Sequence, residues 1–398
     1  MVPGFNTSFM KDSATLQYPG PANDNEHPSS GRIQGSFYTF PYGKKETRTV
    51  KVGRVLLRSN GIFGQGPLVM LVKCVCEGSG RCVWCGKKLV LKLSWPSKTR
   101  ASEKTFMYDF KEKATGEHAW VLNHLPEIYY SFDIDFSAES PQAQLKEIFG
   151  EEYKMRVVRG IIMEKLNPLS SLETEREYAQ VFYDIVQCHH WAWKYPQILH
   201  RDISEGNIMV REKNGQKYGV LNDWDLASWL NTENEVSTSK FRMGTRPYMA
   251  HEQHSSDWQG PHQFRHDLES VFYIILLLVS LYSSPTEKPF FSGFNSWLIA
   301  LQRSLLYGYI GLNMHITMEI DAQQARENNE EPMEVHYFDD DTLGGHFSYE
   351  KVVSVMHQFK KEELNTRGRE WQKILQVPFQ EVKPSRSDFS SRDPFSTF

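Results

Sequence analysis

Residues 198–210 read I-L-H-R-D-I-S-E-G-N-I-M-V, and the rest of the chain can be interpreted outward from them. The two short apolar runs at 198–199 and 208–210 predict a pair of strands with a polar tip between them. In that tip, Asp202 can accept the proton of an incoming hydroxyl, and Asn207 can hold a metal ion that bridges phosphate oxygens. The pattern favours phosphoryl transfer, although a lone His-Arg-Asp triplet also occurs in ordinary charged loops.

Three later segments decide between these interpretations. L-N-D-W-D-L-A at 221–227 places Asp223 just after an apolar strand, where a second metal-binding carboxylate is required. G-T-R-P-Y-M-A-H-E follows at 244–252, and H-D-L-E-S begins at His266. Four such segments in this order are far more specific than any one of them.

These segments resemble the protein-kinase fold, and H-R-D-I-S-E-G-N together with H-D-L-E-S resembles the fungal-type protein kinase family over roughly residues 50–300. The resemblance implies an α+β, bilobal fold with a small β-rich N-lobe and a larger, mainly helical C-lobe. It also implies ATP and Mg²⁺ as cofactors and a protein Ser/Thr hydroxyl as the acceptor. Asp202 would be the catalytic base, and Asn207 and Asp223 would be the metal ligands.

The composition is that of a globular chain. With 398 residues and a net charge of −4, it offers no bulk electrostatic reason to bind nucleic acid or an anionic membrane. The first 20 residues lack a basic segment followed by an apolar one, and the apolar run at 271–282 is too short to span a bilayer. We therefore expect a cytoplasmic or nuclear protein without a membrane partner, and no pattern indicates its oligomeric state.

Local composition predicts four segments. Residues 1–36, rich in Pro, Gly, Asn and Ser, are expected to be a flexible arm, and residues 383–398 a flexible tail. Residues 37–166 would form the N-lobe and hinge, and residues 167–382 the helical C-lobe with the catalytic loop and activation segment. The acidic stretch at 323–334 is expected to be a solvated loop.

A glycine pattern precedes the second strand of the predicted N-lobe. Gly64 and Gly66 match the first two glycines of a phosphate-covering loop, where the missing Cβ lets backbone N–H groups approach a nucleotide. Val69 stands at the third glycine position, and a register that starts at Gly61 is an alternative. Alone this is weak evidence, because such glycines more often form only a turn.

Lys92 lies near the end of the apolar strand predicted at 88–95. It matches the lysine that contacts the α- and β-phosphates of ATP and is neutralised by a glutamate on the next helix. That helix should begin near Ala101. Glu103 is the first candidate partner and Glu112 the reserve, while Glu103 can equally be a first-turn acid that compensates the helix dipole.

The stretch 157–169 predicts a core strand that continues into a linker between the lobes. By the resemblance, the backbone from Glu164 to Leu166 would contact the adenine. Met163 would fill the space behind the base or simply pack in the core.

Departures from the common kinase pattern keep alternatives open. Ser204 stands where most Ser/Thr kinases have a lysine that contacts the γ-phosphate, so the site supplies a hydrogen bond without a charge. Asp225 replaces the glycine of D-F-G. It is a candidate metal ligand, as in small-molecule kinases of the aminoglycoside or choline type, or a loop carboxylate that caps its own backbone. A catalytically weak pseudokinase scaffold is the third hypothesis.

Three further positions follow from the resemblance. Asp267 would anchor the catalytic-loop backbone, and Glu252 would form an ion pair. Arg201 would pair with a phosphate on the Ser-Thr-Ser cluster at 237–239.

Four of the five cysteines occur in C-V-C-E-G-S-G-R-C-V-W-C-G at 74–86. Their spacing can form a structural zinc site on the arms of a hairpin, and a hairpin with free thiols is the alternative. A reducing compartment disfavours disulfides. The kinase resemblance implies no such site. The candidate ligands are Cys74, Cys76, Cys82 and Cys85.

Overall fold

A computed structural model gives the fold. It combines a large β-sheet in the N-terminal part with helices in the C-terminal part, and is consistent with an α+β kinase-like fold. The structure describes residues 15–17, 33–44, 46–59, 66–76, 82–230, 244–255, 258, 260–281 and 291–375.

Seven antiparallel strands form the large sheet in the order β1-β2-β3-β4-β5-β7-β6. They are β1 (Thr15–Gln17), β2 (Phe37–Tyr42), β3 (Glu46–Arg58), β4 (Leu68–Cys74), β5 (Leu89–Ser94), β6 (Ile128–Ile134) and β7 (Val158–Glu164). Smaller sheets contain β8 (Asn167–Pro168), β9 (Ile198–Leu199), β10 (Ile208–Lys213), β11 (Gln216–Leu221), β12 (Ser228–Trp229), β13 (Gln358–Phe359) and β14 (Glu362–Glu363).

The described α-helices lie mostly after the large sheet. They are α1 (Glu103–Lys113), α2 (Pro141–Phe149), α3 (Glu175–Lys194), α4 (His251–His254), α5 (Phe264–Leu281), α6 (Asn295–Glu327), α7 (Tyr349–Met356) and α8 (Arg369–Leu375). Within the described ranges, none of the helices is both long and apolar enough to cross a membrane.

Strand β5 is buried along its whole length because it lies between β4 and β7 with both faces covered. On one face, Phe40 and Phe132 stack with ring centroids 4.7 Å apart. Gly160 permits this stack, since a Cβ there would lie 2.1 Å from the Phe132 ring. A central, well-packed strand is therefore the support for Lys92.

Helix α3 is the central element of the helical part. Its N-terminus has a capping box in which Thr174 and Glu177 satisfy each other's backbone N–H groups, and most of its length is buried. Strand β11 packs directly on it at Gly219, where a Cβ would lie 2.7 Å from the carbonyl oxygen of Val181. This close packing brings the end of β11 next to the predicted catalytic loop.

The predicted pairing of the strands on either side of the catalytic loop is wrong. Strand β9 pairs with β12, and β10 pairs with β11 and β8. The reason is the turn Asn214-Gly215, in which both residues have positive φ (53° and 72°), as a tight hairpin requires. This turn gives β10 a six-residue partner immediately after it in the chain.

Two predicted irregular segments are partly ordered, and those predictions are wrong there. Within the expected arm at 1–36, β1 pairs with β2, and Ile33 is buried. The sequence did not indicate β1, because three residues are too few to show a periodicity. Within the acidic stretch at 323–334, α6 continues to Glu327, because Gln, Ala, Arg and Glu are good helix formers. The remaining residues of the arm up to residue 32, and the tail at 383–398, lie outside the described residues.

Candidate active site

Lys92 is the centre of a buried charge cluster. Only 4% of Lys92 is exposed, and its ammonium contacts Glu103 directly. Its Nζ also lies 2.7 Å from Asp223 Oδ1 and 2.7 Å from Asp225 Oδ2. The structure thus brings together residues from β5, α1 and the turn after β11, and Lys92 and Asp223 alone are 131 positions apart.

Helix α1 places Glu103 at this cluster. Ser102 caps the helix by accepting a hydrogen bond from the Thr105 N–H, so Glu103 lies in the first turn and is fully buried. Glu103 therefore lies where it can compensate the helix dipole, and it also contacts Lys92. The reserve candidate, Glu112, is exposed.

The turn after β11 is held by the residue between its two aspartates. Trp224 is fully buried, donates its indole N–H to the Leu221 carbonyl and packs edge-on against Phe110 of α1. Asp223 has φ +63°, a left-handed conformation that costs about 1 kcal/mol in a non-glycine residue. Packing of Trp224 fixes the conformation in which both carboxylates face Lys92.

The cluster has more negative than positive groups. Burial raises the pKa of Glu103 to about 8, and the two aspartates add to this effect against the attraction of Lys92. Burial disfavours the charge on Lys92, but Asp223, Asp225 and Glu103 together raise its pKa well above the usual value. Burial likewise opposes the charge on Asp223, and Lys92 outweighs it and lowers the Asp223 pKa. A further cation would find favourable electrostatics here.

The donor chemistry fits Mg²⁺. Carboxylate oxygens of Glu103, Asp223 and Asp225 lie within 4.8 Å of one another, and hard oxygen ligands are those that Mg²⁺ prefers. Glu103 Oε2 is buried and has no hydrogen-bond partner among the described residues. Asn207 is joined to this turn through its backbone, since its carbonyl accepts the Asn222 N–H at 2.9 Å.

Asp202 is held from two sides. The Asn207 amide nitrogen donates to its backbone carbonyl at 2.8 Å and to its Oδ2 at 3.3 Å, which directs the amide oxygen of Asn207 away from Asp202. On the other side, Oδ1 accepts the hydroxyl of Thr245 at 2.8 Å and its backbone N–H at 2.9 Å. The carboxylate is thus fixed in a geometry that already accepts a hydroxyl hydrogen.

The backbone before Asp202 is held by Asp267 of α5. Asp267 accepts the N–H groups of His200 and Arg201 at 3.1 Å, and the ring nitrogens of His189 and His262 at 2.8 and 3.0 Å. These bonds hold Arg201 at φ +68°. The expectation that Asp267 anchors the catalytic-loop backbone agrees with these contacts.

Burial raises the pKa of Asp202 to about 6, and the negative charge of Asp223 adds to this, while the hydrogen bonds from Thr245 act in the opposite direction. A carboxylate with a pKa closer to neutrality is a better proton acceptor for a general base.

Residues 134–279, which include Asp202, Asn207, Asp223 and Asp267, match the family described as fungal protein kinase. The match covers 146 of the 398 residues and supports a place for this segment in the fungal protein kinase family. The family indicates a kinase-like transferase with kinase-type phosphotransfer, generally with ATP and Mg²⁺ and with protein substrates. No curated protein is a significant match to the chain.

The residues predicted to face a nucleotide are only partly described. Met163 is buried and forms a small cluster with Val90 and Ile161. The backbone N–H of Glu164 donates to Glu127, while Leu166 is buried at the start of the linker. Gly64 and the alternative Gly61 lie outside the described residues. Gly66 has φ +54°, a conformation that favours glycine.

The remaining predicted positions lie around the kinase catalytic loop. Ser204 is buried, and its carbonyl accepts the Asn207 N–H at 3.0 Å. Glu252 pairs with Arg265 and accepts a hydrogen bond from His266. The Ser-Thr-Ser cluster at 237–239 lies outside the described residues.

Two residues of this kinase that contact the site were missed by the sequence analysis. Thr245 stands inside the quoted G-T-R-P-Y motif, but its contact with Asp202 depends on how the segment folds back. Arg211 of β10 pairs with the Glu164 side chain and donates to the carbonyl of Leu125. No local pattern around Arg211 could have indicated this contact across 47 positions.

The four cysteines lie together beside β3 and β4, and the zinc ligand set and the hairpin are both compatible with their placement. The expectation that no disulfide forms is contradicted, because the structure joins Cys76 and Cys85 as a disulfide. Cys74 and Cys82 are free thiols.

Proposed function

We propose that the chain is an ATP-dependent protein kinase that transfers the γ-phosphate of ATP to a Ser/Thr hydroxyl. The observation that carries the proposal is the contact of the Lys92 ammonium with Glu103 and Asp223. A lysine in a buried strand, oriented by one carboxylate and adjacent to a second, is the arrangement that phosphoryl transfer by kinases requires.

Each residue of the site would have a distinct role in phosphoryl transfer. Lys92 would contact the α- and β-phosphates, oriented by Glu103 and kept charged by Asp223, Asp225 and Glu103 together. Asn207 and Asp223 hold the metal, with Asp225 as a further ligand. Mg²⁺, when bound, neutralises charge on the phosphate oxygens. Asp202 orients the acceptor hydroxyl and takes its proton.

A protein acceptor is favoured by the position of residues 244–252. Thr245 at one end of this segment contacts Asp202, and Glu252 at the other end is held by Arg265. The segment therefore lies beside the group that must meet the acceptor, where a peptide can dock along it.

A small-molecule kinase is the second candidate. Its support is Asp225, whose carboxylate is buried and lies 2.7 Å from Lys92 Nζ. This position matches an additional carboxylate near the metals, and it does not match a loop residue that only caps its own backbone.

The finer organisation is part of the same proposal. A β-rich N-lobe at 37–166 would close over the nucleotide against a helical C-lobe at 167–382, with Glu164 to Leu166 at the hinge. The large sheet and the α3-centred helices support this division. A cytoplasmic or nuclear location stays a prediction from the sequence.

The test is Asp202→Ala, assayed for ATP turnover with a peptide library beside a panel of hydroxylated metabolites. We expect the rate to fall by about two orders of magnitude or more with nearly unchanged ATP affinity, because Asp202 acts on the acceptor. Asp321→Ala, at an exposed position of α6, is the matched control and should retain the rate.

The acceptor that is phosphorylated distinguishes a protein kinase from a small-molecule kinase. If the wild type binds ATP but transfers phosphate to no peptide, metabolite or itself, the kinase proposal fails and the pseudokinase hypothesis replaces it.

A further inference from the structure

The four clustered cysteines belong to two short segments at one end of the neighbouring interior strands β4 and β5. Cys74 ends β4 and Cys76 follows it, while Cys82 and Cys85 lie in the turn that leads to β5. The four Sγ atoms all lie within 4.8 Å of one another. The Sγ atoms of Cys74 and Cys82 are 3.4 Å apart.

Convergence of all four sulfurs is the signature of a metal site. Zinc–sulfur bonds of about 2.3 Å in a tetrahedron place the sulfurs about 3.8 Å apart. The 3.4 Å between Cys74 Sγ and Cys82 Sγ is close to this value, while the sulfurs of Cys76 and Cys85 lie closer together. A disulfide between Cys76 and Cys85 explains the approach of two sulfurs, and a thiol–thiol hydrogen bond at 3.4 Å joins the other two, but neither contact explains why all four sulfurs lie within 4.8 Å of one another. The Cα atoms of that pair are 7.5 Å apart, beyond the roughly 4.4–6.8 Å usual for a disulfide.

The turn that carries Cys82 and Cys85 is shaped to present two ligands. The Cys85 N–H donates to the Cys82 carbonyl at 3.1 Å, and the Lys87 N–H donates to the Trp84 carbonyl at 3.2 Å. Gly86 follows with φ +76°, which lets the chain turn away immediately after the second cysteine. Both thiols therefore lie on one side of a tight C-x-x-C-G turn.

Packing against the sheet fixes this turn. Trp84, between the two cysteines, is 98% buried and lies in the aromatic core of the sheet, with its ring centroid 6.2 Å from that of Phe40. Because Trp84 is anchored, the positions of Cys82 and Cys85 are determined without the metal, so the ligands are preorganised.

A cation next to the cluster offsets its charge. The Arg48 guanidinium donates to Cys82 Sγ at 3.4 Å and stacks over the rings of Tyr42 and Trp84 at 4.1 and 4.5 Å. Four thiolates around Zn²⁺ carry a net negative charge, so an N–H donor with a positive charge stabilises the loaded site.

We propose that Cys74, Cys76, Cys82 and Cys85 bind one structural Zn²⁺ in the reduced protein. Zinc in this position ties the end of β4 to the start of β5, the strand that carries Lys92. In the reduced protein, metal binding releases the thiol protons. A chain that carries the Cys76–Cys85 disulfide must first receive two electrons and two protons from a thiol reductant, which gives the two thiols that then bind the metal.

The first experiment measures zinc in the full chain purified under reducing conditions. We expect about one zinc ion per chain in the wild type and a loss of most of it in Cys82→Ser. Cys188→Ala is the matched control, because Cys188 is buried in α3 away from the cluster, and it should keep its zinc. Co²⁺ substitution should give thiolate charge-transfer bands and the ligand-field bands of a tetrahedral ion.

A second measurement on the wild type remains informative if Cys82→Ser does not fold. Titration of the native protein with an organomercurial should release zinc in step with modification of the thiols. A metal-free folded protein overturns the proposal, whether peptide mapping then shows a Cys76–Cys85 disulfide or five free thiols. Loss of the zinc site leaves the kinase proposal intact, since ATP turnover tests that proposal separately.

Discussion

Replacing Asp267 with Asn tests whether the catalytic loop depends on a single buried carboxylate. Asp267 is 1% exposed and accepts hydrogen bonds from four donors, the backbone N–H groups of His200 and Arg201 and the rings of His189 and His262. Burial opposes its charge, yet the two histidines lower its pKa well below the usual value. The group is therefore an anion at any working pH.

The magnitude follows from these contacts. Asn keeps one acceptor oxygen but turns an NH₂ group toward at least one of the four donors, and an unsatisfied buried donor costs about 1–3 kcal/mol. The remaining bonds change from charge-assisted to neutral, with a further loss of about 1 kcal/mol or more. We therefore expect Asp267→Asn to lower the free energy of unfolding by about 3 kcal/mol. The rate should fall as well, since Arg201 loses the bonds that hold its left-handed backbone next to Asp202.

Urea unfolding followed by tryptophan fluorescence measures the first effect, and ATP turnover the second. Asp340→Asn is the matched control, because the Asp340 side chain is largely exposed and lies 3.7 Å from Arg265. Arg265 is buried but also pairs with Glu252, so loss of the exposed and distant Asp340 carboxylate should cost at most about 1 kcal/mol. If the free energies of unfolding of Asp267→Asn and the control differ by less than about 1 kcal/mol, and Asp267→Asn retains its rate of ATP turnover, Asp267 does not anchor the loop and the reasoning is refuted.

Two further predictions concern the metal and the pH dependence of stability. Asp223→Asn should weaken Mg²⁺·ATP binding or transfer while the fold is retained, and an unchanged rate at limiting Mg²⁺ would show that Asp225 or another group holds the metal. Burial lowers the pKa of His266 to about 4, against the hydrogen bond to Glu252. His266 is thus neutral in the fold, and its contribution to stability is complete above about pH 6.5 and is lost as pH falls toward 4. Urea unfolding at pH 7 and pH 4.5 should show a loss of up to about 3 kcal/mol, and His266→Gln should show a smaller loss between the same two values.

The elements that local pattern determines were predicted well. An apolar run around Lys92 forms β5, the mixed pattern after Ala101 forms α1, and the apolar stripe at 175–193 forms α3. Each of these signals lies within the element itself. The contact of Lys92 with Glu103 was anticipated from the resemblance to kinases, in which a glutamate on the next helix neutralises the lysine, and the structure contains this contact.

Interactions that depend on the path of the chain could not be predicted in the same way. Strand β9 pairs with β12 because the Asn214-Gly215 turn commits β10 to β11, so a local turn decided a distant pairing. The side chains at the C-terminal end of the long helix α6 are largely exposed, so no apolar periodicity marks it, and the Asn328-Asn329 pair that ends the helix, with Asn329 at φ +58°, was not recognised as a cap. The encounter of Thr245 with Asp202, 43 positions away, depends on the whole segment between them.

The hydrogen bond from Thr245 to Asp202 has a consequence for how the proposed kinase would bind its acceptor. Because the Thr245 hydroxyl is part of the protein, it competes with an acceptor hydroxyl for the Asp202 carboxylate as if it were present at a high effective concentration. An incoming hydroxyl must displace it or share Oδ1 with it, so weakly bound alcohols and water are at a disadvantage. Acceptors that gain binding energy elsewhere on the surface can offset this competition. The Thr245 hydroxyl would therefore favour acceptors that dock on the protein over water and weakly bound alcohols.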